Sequence, residues 1–536
     1  MTGSLHDPGM ARRPTEAGRT HPMKVLSKGF GFRLGDRRAV VISDLSIRPG
    51  AITVLMGDSG VGKSTMCNAI VRVRPGDAMV YQDSGGLQHL TVRENLSLAV
   101  SGIRGRVDRS DGKCPVRESE RRFGLNGGTT AGDLSGGERR RLAVACALVS
   151  EPAVVWLDEP DSGLDRNRVE QLASLLREAA NRESRPAIVV VTHDPQFVAL
   201  LRPALIVEIV RGRAAGAGMW ALRLQRASLG ADELHTGADV LSILERLDDE
   251  AAEGDDDVPT GAHAESRDGP AGERSGPVRW MALAVRTLSA MALPLYDGIA
   301  RRTLATTLSM TTWASAPYYL VVGAATGVVL VITLLLIPGV TEIWYWDALV
   351  AEVSPHLLVR AAPAVAAVLI AASTGSLVAS WVGQMQARRE LDALRVLAAD
   401  VDRRVLAPAV IGLAGGALFG TLLFAAGMTA SFLVFASTGP GAGAGGAEAF
   451  AYNLGDLWTG LPLLQADVAS NPVLAAAGEA LLFAAILSVT AVNAATSPSV
   501  SSQEAVAHAV RHAIVRATVC VIVLKTLILT PNIARW

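Results

Sequence analysis

The apolar run Ile52-Thr53-Val54-Leu55-Met56 leads directly into Gly57-Asp58-Ser59-Gly60-Val61-Gly62-Lys63-Ser64-Thr65. No other stretch restricts the fold as tightly. A buried strand, a glycine-rich turn and a helix start, in that order, make a phosphate-binding P-loop in its expected setting. The glycines let successive backbone N–H groups turn inward around phosphate oxygens. Lys63 adds a point charge, and the helix N-terminus adds a partial positive charge. Gly57, Ser59, Gly60, Gly62, Lys63, Ser64 and Thr65 are therefore candidate phosphate-binding residues. The loop by itself specifies only a nucleotide.

Residues 23–215 alternate short Val/Ile/Leu runs with helical stretches, the pattern of an α/β domain around a largely parallel sheet. Residues 1–22 carry Arg12, Arg13 and Arg19 among Pro, Gly and Thr, with no apolar core. A disordered tail is expected there, not a secretory signal. Residues 216–278 read as a connector with one short helix at 240–247. After it come Asp248-Asp249-Glu250, Asp255-Asp256-Asp257 and a Gly/Pro/Ser/Glu-rich tract. That composition cannot bury a core, so an acidic, flexible linker is expected.

The second half changes character. Half of all residues are hydrophobic and mean hydropathy is +0.31, high for a soluble protein, and the excess lies in the C-terminal part. Residues 279–316 mix apolar side chains with Arg279, Arg286, Arg301 and Arg302, which predicts a helix lying at a membrane interface. Five apolar spans follow, near 317–337, 357–382, 405–435, 472–495 and 513–531. Each meets or nearly meets the ~20 residues that cross a bilayer. Residues 317–536 thus read as an all-α membrane domain with five transmembrane helices. The connection at 383–404 carries Arg388, Arg389, Arg395, Arg403 and Arg404; that at 496–512 carries Arg511. The connections at 338–356 and 437–471 hold acids but no Lys or Arg. The positive-inside rule then puts the first pair, and the N-terminal domain, in the cytoplasm and the C-terminus outside. Trp344, Tyr345 and Trp346 sit where an outer aromatic belt is expected. A formal net charge of −1 gives no sign of a nucleic-acid partner. Cys67, Cys114, Cys146 and Cys520 have no CxxC spacing and read as ordinary small residues.

Further motifs follow the P-loop in order. Gln82 closes Val80-Tyr81-Gln82. Leu134-Ser135-Gly136-Gly137-Glu138 opens an arginine-rich helix. Ala153-Val154-Val155-Trp156-Leu157 ends in Asp158-Glu159, with Asp161-Ser162-Gly163-Leu164-Asp165 beyond. Ile188 to Thr192 ends in His193. A carboxylate at a strand end facing the P-loop can hold Mg²⁺, with Ser64 as an oxygen ligand. Asp158 has that position; Glu159, beside it, can polarise a water. Gln82 can touch both the metal and that water. His193 reaches the γ-phosphate side. Small residues at a helix N-terminus make Ser135, Gly136 and Gly137 a second anion cradle.

The ordered set resembles the ATPase domain of ABC transporters, with P-loop, Q-loop, signature, Walker B, D-loop and H-loop all present. The resemblance implies ATP and Mg²⁺ as cofactors. It implies Glu159 as general base with His193 and Gln82 beside it, and Ser64, Gln82 and Asp158 as metal-side residues. It further implies that Ser135, Gly136, Gly137 and Asp165 serve the ATP of an opposite subunit, so that the chain works as a homodimer. The stretch from Lys63 to Gln82 is short for the family, so part of its antiparallel β-subdomain is expected to be trimmed. The adenine-stacking aromatic is open between Phe30 and Phe32, with Leu34 nearer the expected spot.

Gly383, Met385, Asp392, Ala393, Leu394, Asp400, Arg403, Arg404 and Pro408 resemble the cytoplasmic loop of MlaE-type permeases, lipid movers of the Mla and Mce systems. Trp381, Arg389-Glu390 and Val401 depart from that pattern. Leu391, Leu394 and Leu397 at helical spacing predict an amphipathic helix over 383–404, which the resemblance makes a coupling helix. Glu479, Asn493 and Lys525 are polar residues inside spans. The expectation is an ATP-driven lipid transporter of a bacterial inner membrane, a multi-pass protein, with an outer lipid-carrier protein as a candidate partner. A drug or small-solute exporter and a non-transporting mechanical regulator are the alternatives.

Overall fold

The structure, a computed structural model, describes residues 22–34, 37–74, 76–82, 85–103, 114–182, 184–213, 219–228, 276–289, 297–336, 354–397, 399–438, 448, 452, 472–497 and 502–533. The expected tail, the helix at 240–247, the acidic linker, Trp344 to Trp346 and most of the connections at 338–356 and 437–471 lie outside these residues. The chain divides into two compact units, Met1–Glu273 with Asp392–Ala399, and Arg274–Leu391 with Asp400–Trp536.

The first unit is built on an eight-stranded mixed sheet. Its strands are β2 (Phe30–Leu34), β3 (Arg37–Val41), β5 (Ile52–Met56), β6 (Ala78–Val80), β7 (Val154–Asp158), β8 (Ala187–Val191), β9 (Leu205–Arg213) and β10 (Met219–Ser228). β1 (Met23–Leu26) and β4 (Leu45–Ile47) form a separate antiparallel pair. The sheet order is β2-β3-β10-β9-β5-β8-β7-β6, and β9, β5, β8, β7 and β6 run parallel. β5, β7 and β8 are buried along their whole length. They need no polar face, because helices cover both sides of the sheet. Alternate residues divide between two cores. Val155, Leu157, Ile188 and Val190 pack with α2 (Val92–Ile103), α4 (Gly136–Val149) and α5 (Arg166–Ala180). Val154, Trp156, Val189 and Val191 pack with Met66, Cys67 and Ile70 of α1 (Lys63–Val73). The expected parallel α/β domain is present, but it extends beyond residue 215, because β10 pairs with β9 and β3 inside the sheet. Residues 216–278, read as connector, therefore begin with a strand.

Only Arg74 to Asp77 separate α1 from β6. The link is held by Asp77, buried, which accepts from Arg74 Nε at 3.0 Å and from Trp156 Nε1 at 3.1 Å. Burial raises the Asp77 pKa above the ordinary carboxylate value. Among the described residues of this link none is in a strand, in keeping with the short spacing. Phe30 and Phe32, both half-buried, pack against the α1-side core together with Leu34.

The second unit is helical. Its elements are α7 (Gly276–Ser289), α8 (Gly298–Thr311), α9 (Ala316–Leu335), α10 (Ser354–Ile370), α11 (Ser376–Ala387), α12 (Glu390–Val396, of which residues from 392 belong to the first unit), α13 (Ala407–Thr438), α14 (Pro472–Ala495) and α15 (Gln503–Ile533). Among the described residues, five helical stretches are long and apolar enough to cross a membrane: Gly298–Thr333, Leu358–Ala387, Asp402–Ser437, Val473–Ala495 and Gln503–Ile528. The single interfacial helix expected over 279–316 is instead two helices, α7 and α8. Asp297 caps the second by accepting from Ile299 N. The face of α8 is a row of buried threonines, Thr303, Thr307 and Thr311, each donating its hydroxyl to the carbonyl four residues back. Against it lie Gly412 and Gly416 of α13. A Cβ at Gly412 would stand 2.7 Å from Thr307 Cβ, and one at Gly416 would overlap Thr311. Gly323 and Gly427 bring α9 and α13 together in the same way. Small residues allow such backbone approach where water supplies no hydrophobic drive.

Between α10 and α11 a π-helical turn, Ala371–Gly375, interrupts the second span. Tyr319, buried, joins it through hydrogen bonds with Ser373 Oγ at 2.8 Å and Thr374 Oγ1 at 3.0 Å. The amphipathic stretch 383–404 is not one helix. It breaks at Arg389, whose φ is +56°, resumes as α12, and ends in a second π turn, Asp402–Leu406. Leu391, Leu394 and Leu397 are all buried, as their spacing predicted, and Leu397 belongs to the core of the first unit. Arg404 pairs with Asp297 at 3.1 Å.

The α8–α13 seam leaves no room for a side chain. Gly416→Val is expected to cost about 1–3 kcal/mol through overpacking. It should appear as a lowered thermal midpoint of the detergent-extracted protein.

Candidate nucleotide site

The site lies at the C-terminal ends of β5, β7 and β8, whose register sets it. Leu55 and Asp158 both pair with Val191, so the residues following these strands emerge side by side. After β5 the chain turns through Gly57 with φ +136°. A Cβ there would stand 2.5 Å from Ile209 O, so only glycine permits both the turn and the close approach. Gly60 and Gly62 also have positive φ. Gly62 caps α1 with no side-chain partner for the helix amides, leaving them available to an anion. Lys63 is buried and donates Nζ to Gly57 O at 2.6 Å and Asp58 O at 2.8 Å. Desolvation lowers its pKa. Ser59 is exposed at the loop tip, and Thr65 is half-buried one residue beyond Ser64. Leu34 faces Gly62: a Cβ there would stand 3.1 Å from its methyl carbons.

Ser64 Oγ donates to Asp158 Oδ1 at 2.8 Å, bringing the P-loop hydroxyl and the β7 carboxylate together across 94 residues of sequence. Glu159 adopts φ +43° and donates its N–H to Val191 O at 2.9 Å. Gln82 Nε2 donates to Glu159 Oε2 at 3.0 Å. His193 Nδ1 lies 3.6 Å from Glu159 Oε1. Gln82, Glu159 and His193, named from separate motifs, thus share one carboxylate. Behind them Thr192 Oγ1 donates to Asp161 Oδ2 at 3.0 Å, and burial raises the Asp161 pKa. Lys63, Ser64 and Asp158 supply one cation and hard oxygens, a donor set suited to phosphate and to a small hard cation.

Ser135, Gly136 and Gly137 occupy the start of α4. Ser135 forms a reciprocal capping box with Glu138, accepting from its N–H and donating Oγ to Oε2 at 2.7 Å. Those bonds hold the Glu138 carboxyl below its ordinary pKa. A Cβ at Gly137 would stand 2.9 Å from Arg168 Cδ. Asp165 caps α5 by accepting from Arg168 N at 3.0 Å and pairs with the same guanidinium at 3.1 Å. In this structure Ser135 and Asp165 thus serve their own helix starts. In the helical unit, Glu479 and Lys525 form an ion pair between α14 and α15, and Asn493 is half-buried. Sequence reasoning gave no role to Arg140, whose guanidinium donates to backbone oxygens of Gln82 and Ser162. An arginine run after the signature is its only sequence signal.

This fold and site define a nucleotide-hydrolysing domain of the ATP-binding cassette class. The family model Permease MlaE matches residues 304–530, and an AAA-domain model matches residues 118–199. The N-terminal part is 34% identical over 196 residues to the aliphatic sulfonates import ATP-binding protein SsuB 2 of Nocardia farcinica, covering 34% of this chain and 77% of that protein. It is 34% identical over 204 residues to the lipoprotein-releasing system ATP-binding protein LolD of Anaeromyxobacter dehalogenans, covering 33% of this chain and 84% of that protein. Among solved structures, a dimeric post-hydrolysis state of the ATP-binding cassette MJ0796 with ADP and Pi has 24% identity, covers 35% of this chain and 93% of that one, and gives a TM-score of 0.30. The chain belongs to the ABC transporter ATP-binding family, and it carries a MlaE permease domain in the same polypeptide. It is an ATP-binding, multi-pass membrane protein whose ATPase is coupled to transport.

Gly57→Ala tests the loop. The combined strain and clash with Ile209 O are expected to cost about 1–3 kcal/mol and to weaken ATP binding. Calorimetric titration with ATP and a thermal melt read the two effects.

Proposed function

We propose that the chain is one half of a homodimeric, ATP-driven lipid transporter. The observation that carries the hydrolytic part is the shared carboxylate: Gln82 and His193 both converge on Glu159, beside the Ser64–Asp158 pair. The lipid part rests on the MlaE family match over residues 304–530.

In this reading the P-loop amides and Lys63 bind the β- and γ-phosphates. Lys63 now spends its protons on Gly57 O and Asp58 O, and it exchanges those carbonyls for phosphate oxygens. Ser64, Asp158 and Gln82 would hold Mg²⁺. Bound there, the ion neutralises charge on the phosphate oxygens. Glu159 takes a proton from the attacking water as its oxygen bonds to the γ-phosphorus and the bond to the leaving ADP oxygen breaks. Gln82 keeps the carboxylate aimed, and His193 holds the far side of the γ-phosphate. Ser135, Gly136, Gly137 and Asp165 act on the nucleotide of the second copy, which requires Ser135 to release Glu138.

Residues 23–215 are read as the core of the ATP-binding domain, 279–316 as the membrane-surface entry and 317–536 as the permease. Leu391, Leu394 and Leu397 support a coupling role for α12. The arginines of 383–404 favour a cytoplasmic ATPase with the C-terminus outside, in a bacterial inner membrane. An outer lipid-carrier protein is the expected further partner.

Two measurements test the reading. Glu159→Gln is expected to retain ATP binding and to lower phosphate release by at least about 100-fold, the scale of removing a general base; unchanged turnover rejects Glu159 as base. Native mass spectrometry of the detergent-extracted protein should show two protomers carrying phospholipid in a fixed ratio. A lone protomer rejects the dimer, and a lipid-free one rejects the lipid substrate.

A further inference from the structure

Arg140 lies on α4, five residues beyond the Ser135 cap, and is half-buried. Its Nη1 donates to the backbone carbonyl of Gln82 and lies 3.4 Å from Tyr81 O. Its Nη2 donates to Ser162 O at 3.4 Å. These carbonyls belong to the two loops that flank Glu159. The Gln82 side chain donates to Glu159 Oε2 at 3.0 Å, and the Ser162 N–H donates to Glu159 O at 3.2 Å. One guanidinium therefore ties the helix that carries the signature cradle to both loops around the carboxylate. A guanidinium suits the task, since its five donors lie in a rigid fork and it keeps its charge at any working pH.

The helix does not need this cation to stay in place. Leu142, Ala145 and Leu148 of α4 are buried in the core, and the capping box fixes its start. The preceding arginine is used differently, since Arg139 Nε donates to Leu134 O at 2.9 Å inside its own helix entry. Arg139 also packs its side-chain carbons beside Gly85, whereas Arg140 donates its guanidinium to the carbonyls of Gln82 and Ser162.

We propose that Arg140 is a positioning residue for hydrolysis. It acts through the Gln82 backbone, holding the amide that aims Glu159, and it links the placement of the signature helix to the readiness of the carboxylate. This rests on the reading of Glu159 as base and Gln82 as its partner.

The test uses the full chain in detergent with ATP and magnesium, following phosphate release. Arg140→Ala is expected to lower kcat about tenfold, the scale of losing a charge-assisted hydrogen bond, with KM for ATP within about twofold. Arg140→Lys, which keeps the charge without the fork, should recover part of that loss. The double variant Arg140→Ala/Gln82→Ala should be no slower than Gln82→Ala within about twofold, because both changes remove the same positioning. Wild-type kcat in Arg140→Ala overturns the proposal. So does a fully additive loss in the double variant. An equal fall of kcat, ATP affinity and thermal midpoint in both Arg140→Ala and Arg140→Lys also overturns it, by marking a purely structural role. Glu159→Gln separates the two levels: retained turnover there rejects the underlying reading, whereas an inactive Glu159→Gln beside an unaffected Arg140→Ala rejects this inference alone.

Discussion

The pairing register of β5, β8 and β7 is the constraint on which the nucleotide site depends. Leu55 and Asp158 stand opposite the same residue, Val191. A slip of one position would turn every side chain to the other face. It would also carry Gly57, Asp158 and His193 out of step. The register is strongly specified because both faces of all three strands are buried, so each alternate residue belongs to one of two different cores. The apolar runs do more than stabilise. They fix where the polar residues at their ends emerge, and Ser64 and Asp158 meet at 2.8 Å as a result.

The geometry around Glu159 has a local cost. Its φ of +43° is uncommon for a residue with a side chain. The bond from its N–H to Val191 O, the amide of Gln82 and the nearby His193 ring surround it and hold it there. Strained backbone of this kind persists where the surroundings over-determine it.

Much of this was legible in the sequence. The P-loop, the apolar strands and the residues at their ends could be read directly, because each is a short contiguous pattern. The short link after α1 was also legible as a spacing. What was not legible depends on contacts between distant segments. β10 looked like connector because its strand character comes from pairing with β9 and β3. The break at Arg389 interrupts a run whose leucine spacing is helical throughout; the positive φ there leaves no mark in the residue type. The entry to the membrane unit read as one amphipathic helix, yet Asp297 starts a new one. Its threonine face could be recognised only once Gly412 and Gly416 were placed against it. Glu479 and Lys525 were each conspicuous alone, and only the fold shows that they answer one another. Arg140 was hidden in a run of like residues, since nothing in the run says which guanidinium reaches another loop.

The direct passage from α1 to β6 has a mechanical meaning. In a nucleotide domain with a longer excursion at this point, slack chain can absorb a shift of the helix that grips phosphate. Here Arg74 to Asp77 are all there is, and Asp77 is pinned to Trp156 in the adjoining strand. A tug on the P-loop helix is thus delivered with little slack to β6, the strand that leads into Tyr81 and Gln82, like a short rod in place of a rope.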